Sequence, residues 1–350
     1  MKVSVIIPVY NAEETITETI ASIHSQHSHE IICINDGSKD NSSTVISNLN
    51  HPNVVLVNRE NKGAAASRNE GISLAQGEYI MFCDADDKLG DNIIDNMIKE
   101  IETYNTDIVV GQVHHLIGEK VYPISTYKDL KAVHVTDLNS TPEVIQSIGP
   151  YGKLYKKSKL ENIRFDEDIT FCEEHTFNLK AWVNSNISVI DDLAYLYNIG
   201  IEDSIVASSY KNITKYLSDG AKVRSRSLEI LKDLDQNVSD YYSYRMDKLI
   251  IFYLIRNNYL KVNNMKSLLD SAVLYLDVIN NINTTSAKEL KTLVLTISTV
   301  EGYDQFKQIA MKLEIPSDKK TYRQYQLNAQ KLKLKMKLRN MKNKSKKISH

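Results

Sequence analysis

Three aspartates fall within four residues at Asp84-Ala85-Asp86-Asp87, and a fourth, Asp36, stands in Asn35-Asp36-Gly37-Ser38. Taken singly, each is ordinary turn chemistry. Three carboxylates at close range repel one another unless they are solvated or bridged by a cation, and a hard divalent ion with oxygen ligands meets that need. An ion held by so few protein oxygens completes its shell with water and phosphate oxygens, which points to a nucleoside diphosphate. The phosphate grip is not built from glycine. After the first apolar run the chain reads Pro8-Val9-Tyr10-Asn11-Ala12, with neither a Gly-x-Gly-x-x-Gly turn nor a phosphate-loop signature. Metal and side chains must then neutralise the phosphates. A second acidic group, Glu173-Glu174, opens a helical stretch, where acids also suit the positive end of a helix dipole.

These residues need a frame. The first 115 residues alternate short β-branched runs with helical periodicity, the pattern of βαβ units and a mostly parallel sheet. Strands are expected at 3–9, 30–35, 54–58, 79–83 and 107–113. Asp36 and Asp84 thereby end strands two and four, where open parallel sheets bind their ligands. Between the strands, Asn11 with Glu14 reads as a capping pair before a stripe of Ile16, Ile20 and Ile23. Asp91 reads as the cap before Ile94, Met97, Ile98 and Ile101. From about 116 to 210 the pattern loosens, with a helix start at Cys172-Glu173-Glu174-His175; His175 is read as a helix-surface residue rather than a ligand. Beyond 212 the chain reads as helical, with a stripe at Leu249, Phe252, Tyr253, Arg256 and Leu260 and a capping pair of Ser286 and Glu289. The expected domains are an α/β domain at 1–210, a helical region at 211–325 and a basic tail at 326–350.

In order and spacing, four blocks resemble the GT-A fold, family 2 glycosyltransferases. They are Pro8-Val9-Tyr10-Asn11, Asn35 to Asp40, Asn61-Lys62-Gly63 through Ser67-Arg68-Asn69-Glu70-Gly71, and Gly77-Glu78-Tyr79 to Asp87. The resemblance is strong over about the first 115 residues and weakens toward 205. It implies an α/β GT-A fold followed by an α-helical C-terminal region, and it places Pro8, Tyr10 and Asp36 around the base and ribose of a sugar nucleotide. Arg68 would reach toward that nucleotide. Asp84 and Asp86 match an Asp-x-Asp element, with Asp84 facing ribose and metal and Asp86 ligating Mn2+ or Mg2+ on the diphosphate of a donor expected to be UDP-linked. An inverting transfer also needs a carboxylate to take the proton of the attacking hydroxyl. Glu173-Glu174-His175-Thr176-Phe177 resembles the family's base segment and puts Glu174, where the family has Asp, at the catalytic position. In Tyr195 to Ile205 the tyrosines and a Ser-Ile pair match the family, but its Arg is missing. The segment Gly152-Lys153-Leu154-Tyr155-Lys156-Lys157-Ser158 resembles the acceptor-side stretch, its lysines serving an anionic acceptor or a solvated loop.

Composition sets the outer limits. The 350 residues are 42% hydrophobic and 25% charged, which fits one large or two ordinary globular domains. The longest apolar run, 249–255, is far short of a membrane span. Three scattered cysteines give neither a disulfide framework nor a zinc knuckle, which fits a reducing, cytoplasmic setting. The net charge of -1 divides into +9 for residues 331–350 and -10 for the rest. Interleaved with leucine and methionine, that tail suits an anionic membrane surface and peripheral docking at its inner face. With no aromatic residue for base stacking, it does not suit nucleic acid. A lipid-linked or glycan acceptor of the cell envelope fits this placement, and the chain weakly resembles glycosyltransferases of wall teichoic acid gene clusters of Gram-positive bacteria. The alternative from another class is a catalytically weak scaffold that recruits envelope-polymer enzymes; a nucleotidyltransferase lacks its glycine-rich loop. The helical segment suits a homo-oligomer interface or an acceptor platform equally.

Overall fold

The protein is described here by a computed structural model covering residues 1–199, 211–256, 265–279, 284–297, 300, 302–331 and 334. It divides into two compact units, one of residues 1–207 with 222–242 and one of 208–221 with 243–350.

The first unit is built on a ten-stranded sheet. Its first half alternates strand and helix: β1 (Val3–Val9), α1 (Ile16–Ala21), β2 (His29–Asp36), α2 (Ser42–Asn48), β3 (Val54–Arg59), α3 (Ala64–Leu74) and β4 (Tyr79–Phe82). Then follow β5 (Lys88–Leu89), α4 (Ile93–Tyr104), β6 (Ile108–Ile117), β7 (Lys120–Pro123), β8 (Val133–Thr136), β9 (Lys153–Lys156), α5 (Glu173–Trp182) and β10 (Ile187–Asn198). The strand order is β3-β2-β1-β4-β9-β6-β10-β5, with β7 on β6 and β8 on β10. The pairs β3-β2, β2-β1, β1-β4 and β6-β10 are parallel, and β9 enters antiparallel between β4 and β6. Buried on both faces, β1 and β2 read as near-continuous apolar runs. The four parallel strands β3, β2, β1 and β4 bring the residues after Val9, Asp36, Arg59 and Phe82 to one edge, the ligand-binding edge of such sheets.

Helix α3 lies directly on β1. A Cβ on Gly71 would stand 2.3 Å from Ile6 Cγ2, so only glycine permits this approach. Below the edge, Phe82, Phe165 and Phe177 form an aromatic core: Phe82 meets Phe165 and Phe177 edge-on at 5.4 and 5.6 Å, and Phe165 stacks on Phe177 at 3.8 Å.

The expected stripes at Ile16, Ile20 and Ile23 and at Ile94, Met97, Ile98 and Ile101 are buried, whereas Leu249 of the later stripe is half-buried and the side chains of Phe252, Tyr253 and Arg256 lie outside the described residues; two caps fall elsewhere. Helix α1 starts only at Ile16, and Asn11 sits in the left-handed region at φ +50, where its Oδ1 accepts the Lys39 N–H. Helix α4 is preceded by Asn92, also left-handed, rather than capped by Asp91. Short polar residues serve N-caps and left-handed turns alike, and the turn won in both places.

The chain continues through α6 (Ile213–Ile230) and α7 (Gln236–Lys248), both divided between the units, and a π-helical stretch at Leu249–Arg256. The second unit holds α8 (Met265–Ile279), α9 (Thr284–Ile297) and α10 (Gly302–Lys312). Ser286 lies inside α9 and does not cap it. Within this unit the buried Tyr275 hydroxyl donates to Asp247 Oδ1 at 3.1 Å, and Lys248 pairs with Glu289 at 2.6 Å. No helix among the described residues is long and apolar enough to cross a membrane. Leu260, residues 200–205 of the tyrosine block and the tail beyond 334 lie outside the described residues.

Candidate active site

At the sheet edge, the acid loop after β4 is held from three sides. The Ala85 carbonyl accepts hydrogen bonds from Thr15 and Thr19 hydroxyls, each at 2.9 Å. From β10, the Tyr195 hydroxyl accepts the Asp84 N–H at 3.0 Å and donates to Asp87 Oδ2 at 2.7 Å. The other Asp87 oxygen accepts the Asn198 N–H at 2.7 Å. Asp87 is therefore a buried tether rather than an open ligand. Burial, then the charges of Asp84 and Asp86, push its carboxyl well above the usual range.

Asp84 and Asp86 stay half-exposed. Burial, then the Asp84 charge, push the Asp86 carboxyl up to about 6. Two partly exposed carboxylates on one short loop, close enough for the charge of Asp84 to act on Asp86, are oxygen donors that fit Mn2+ or Mg2+.

Arg68 projects from α3 into the same cluster. Its Nη2 donates to Asp84 Oδ1 at 2.8 Å and its Nη1 to Glu173 Oε1 at 2.9 Å, with the guanidinium 5.4 Å from the Phe165 ring centre. Burial opposes this cation, but Asp84 and Glu173 outweigh it and hold it charged. Arg68 thus ties the acid loop to the start of α5. Glu174 follows there, half-buried as a residue; burial, then the Glu173 charge, raise its carboxyl well above the usual range. A carboxylate so poised is suited to accept a proton near neutral pH.

The residues expected on the nucleotide side lie along the same edge. Tyr10, at the end of β1, is 48% exposed, and Pro8 is half-buried within β1. Asp36 is 3% exposed: its oxygens accept the Lys62 and Gly63 N–H groups at 2.9 and 2.7 Å, and Arg59 Nε stands 3.2 Å away. Gly63, at φ +93, turns the chain into α3 there. The carboxylate of Asp36 therefore shapes the loop at 61–63.

Tyr151 stacks on Tyr195 at 4.6 Å and lies 5.7 Å from Tyr197, an aromatic wall beside the acids. His175 is 2% exposed, which corrects the surface reading: its Nδ1 lies 3.2 Å from the Tyr242 hydroxyl. Lys153 is buried and donates to the Gly149 and Tyr151 carbonyls at 2.6 and 2.9 Å, and Lys157 donates to the Ala75 carbonyl. Sequence reasoning met Asp87, Glu173 and Tyr195 inside their motifs but gave them no role of their own, and it passed over Tyr151. Asp87 and Glu173 carry a signal as members of the acidic clusters; the tyrosines are joined to Asp84 only by the fold.

Residues 4–164 match the family model described as Glycosyl transferase family 2. The chain is 32% identical over 222 residues to the poly(ribitol-phosphate) beta-glucosyltransferase of Bacillus spizizenii, covering 60% of this chain and 34% of that protein. It is 30% identical over 220 residues to the poly(ribitol-phosphate) beta-N-acetylglucosaminyltransferase TarS of Staphylococcus aureus, covering 60% and 38%. The chain thus spans about a third of the length of these curated relatives. Among solved structures, S. aureus TarS 1–349 in complex with UDP-GlcNAc shares the fold, with a TM-score of 0.69 at 22% identity over 93% of this chain and 92% of that one.

Proposed function

We propose that this chain, whose residues 4–164 match the model of glycosyl transferase family 2, moves a sugar from a UDP-linked donor to a teichoic-acid-type glycopolymer or its lipid-linked precursor. The observation that carries this reading is the bridge at the sheet edge: Arg68 joins Asp84 to Glu173, setting the acid loop beside Glu174. The poly(ribitol-phosphate) substrates named for its relatives supply the acceptor class.

The transfer is an inverting, single displacement. An acceptor hydroxyl oxygen attacks the anomeric carbon, the bond from that carbon to the diphosphate breaks, and the hydroxyl proton passes to Glu174. Asp84 and Asp86 would hold Mn2+ or Mg2+, which supplies charge neutralisation for the leaving diphosphate. Tyr10 flanks the uracil. Asp36 fixes the loop at 61–63, and Tyr195 with Asp87 fixes the acid loop. Residues 326–350 dock the chain on an anionic membrane surface, so removing them should abolish sedimentation with anionic vesicles.

Calorimetric titration with UDP, in Mn2+ and then in EDTA, tests the donor site. Metal-dependent binding that disappears in Asp86→Ala is expected. An absence of UDP binding in either condition sinks the reading. Transfer from UDP-glucose and UDP-N-acetylglucosamine to poly(ribitol phosphate) then identifies donor and acceptor.

A further inference from the structure

Beside the acid loop, the start of α5 gathers a second and chemically different set of donors. Cys172 Sγ, a Glu174 carboxylate oxygen and an imidazole nitrogen of His175 all lie within 4.8 Å of one another. Cys172 and His175 are buried and Glu174 is half-buried. Asp84 and Asp86 offer only oxygen, the choice of hard ions such as Mn2+ and Mg2+. A thiolate, an imidazole and a carboxylate are instead the three donor types that Zn2+ takes, with three protein ligands and a water completing an open tetrahedral site.

We infer that Cys172, Glu174 and His175 form a Zn2+ site, and that filling it withdraws Glu174 from proton transfer and switches the enzyme off. Zinc–ligand bonds of about 2.0–2.3 Å set tetrahedral ligand atoms about 3.5 Å apart, so the donors need close by only about 1 Å. His175 is already oriented. Its Nδ1 lies 3.2 Å from the Tyr242 hydroxyl, and a contact of this kind fixes the ring of a ligating histidine. Cys172 occupies the residue before α5 in a left-handed conformation, φ +66. The charges also close: thiolate and carboxylate balance Zn2+, so neither the positive end of α5 nor Arg68 meets an excess of positive charge.

The site itself rests on these donors alone; only the switching effect rests on the reading of Glu174 as the base. The full chain, stripped with EDTA, is titrated with Zn2+ against a chromophoric chelator and with Co2+ by absorption. One Zn2+ per chain is expected, with affinity falling roughly 10- to 100-fold in Cys172→Ser and in His175→Gln but holding within about twofold in Asp86→Ala. Co2+ should give a thiolate charge-transfer band that Cys172→Ser lacks. The inference is overturned if zinc binding survives Cys172→Ser and disappears in Asp86→Ala, if the cobalt spectrum shows no thiolate band, or if the chain takes up no zinc. Should Cys172→Ser fail to fold, the wild-type cobalt spectrum and His175→Gln still decide. These arms use no substrate, so they stand apart from any failure of the transferase reading. In the activity arm, Zn2+ should lower turnover at saturating Mn2+ while leaving UDP affinity unchanged; inhibition that persists in Cys172→Ser overturns the switch.

Discussion

Replacing Arg68 with Met keeps an apolar stem against Phe165 but removes the guanidinium that holds Asp84 and Glu173 together. The two acids remain, their side chains 27% and 14% exposed, facing one another without a cation. Removing one partner from a buried ion pair costs about 3–5 kcal/mol, and because both acids keep some access to water the lower end, about 3 kcal/mol, applies. Loss of the Nε–H adds little, since that atom already lacks a hydrogen-bond partner. At about 2–4 °C per kcal/mol for a unit of this size, the melting temperature should drop by about 6–12 °C. The only tryptophan, Trp182, is buried at the end of α5, so its fluorescence during urea unfolding reports this unit. Adding Glu173→Gln removes the repulsion that Arg68→Met exposes, and the double variant should recover about 1–2 kcal/mol relative to the sum of the singles. A loss below about 1 kcal/mol in Arg68→Met, or strictly additive singles, refutes the bridge as an energetic unit.

Four further outcomes follow from the structure. A base acts only when deprotonated, so kcat/KM should rise with pH through a limb well above the usual carboxylate range; Glu174→Gln should cost about 10²- to 10⁴-fold in kcat with UDP affinity unchanged. Glu173→Gln removes a charge that raises the Glu174 carboxyl, so the limb should move to lower pH; a limb that stays in place contradicts the assignment. Tyr195→Phe takes a hydrogen bond from buried Asp87 and another from the Asp84 N–H, which should cost about 1–3 kcal/mol in the Trp182 assay and weaken Mn2+ binding seen by electron paramagnetic resonance; unchanged Mn2+ affinity removes the positioning role. Gly71→Ala should destabilise by about 1–3 kcal/mol, because the clash with Ile6 outweighs the better helix propensity; a more stable variant would show that α3 shifts freely on β1.

The parallel half of the sheet was legible because strands buried on both faces must be apolar throughout, as 3–9 and 30–35 are. The mixed half was not. The segment at 153–156 pairs with β4 and β6 across long stretches of chain, and nothing local in Lys153-Leu154-Tyr155-Lys156 says which strands will flank it. The candidate site divides in the same way. Asp84, Asp86 and Glu174 were visible as clustered acids. The role of Asp87 depends on Tyr195, 108 residues away, and that of Arg68 on Glu173, 105 residues away. His175 misled because a histidine at a helix start gives no sign that Tyr242 will cover it.

The three acids after β4 share a motif but not a task, and their stability effects should separate them. Asp87 spends its charge on Tyr195 and Asn198, and Asp84 on Arg68. Among the described residues Asp86 has no ion-pair partner, and it carries its charge beside Asp84 in a partly buried loop. An acid kept there without a protein cation is a cost to the fold that only a bound cation repays. In EDTA, Asp86→Asn should therefore be as stable as the parent or more stable by up to about 1 kcal/mol, while Asp87→Asn loses about 1–3 kcal/mol. Adding Mn2+ at about 100 times its Kd should stabilise the parent by about 2.7 kcal/mol and Asp86→Asn by far less, so the order of the two inverts. Urea unfolding in EDTA and in Mn2+ reads both halves. Equal stabilisation of parent and Asp86→Asn by Mn2+ would falsify the metal assignment, and a large loss in Asp86→Asn without metal would make Asp86 a structural acid like its neighbour.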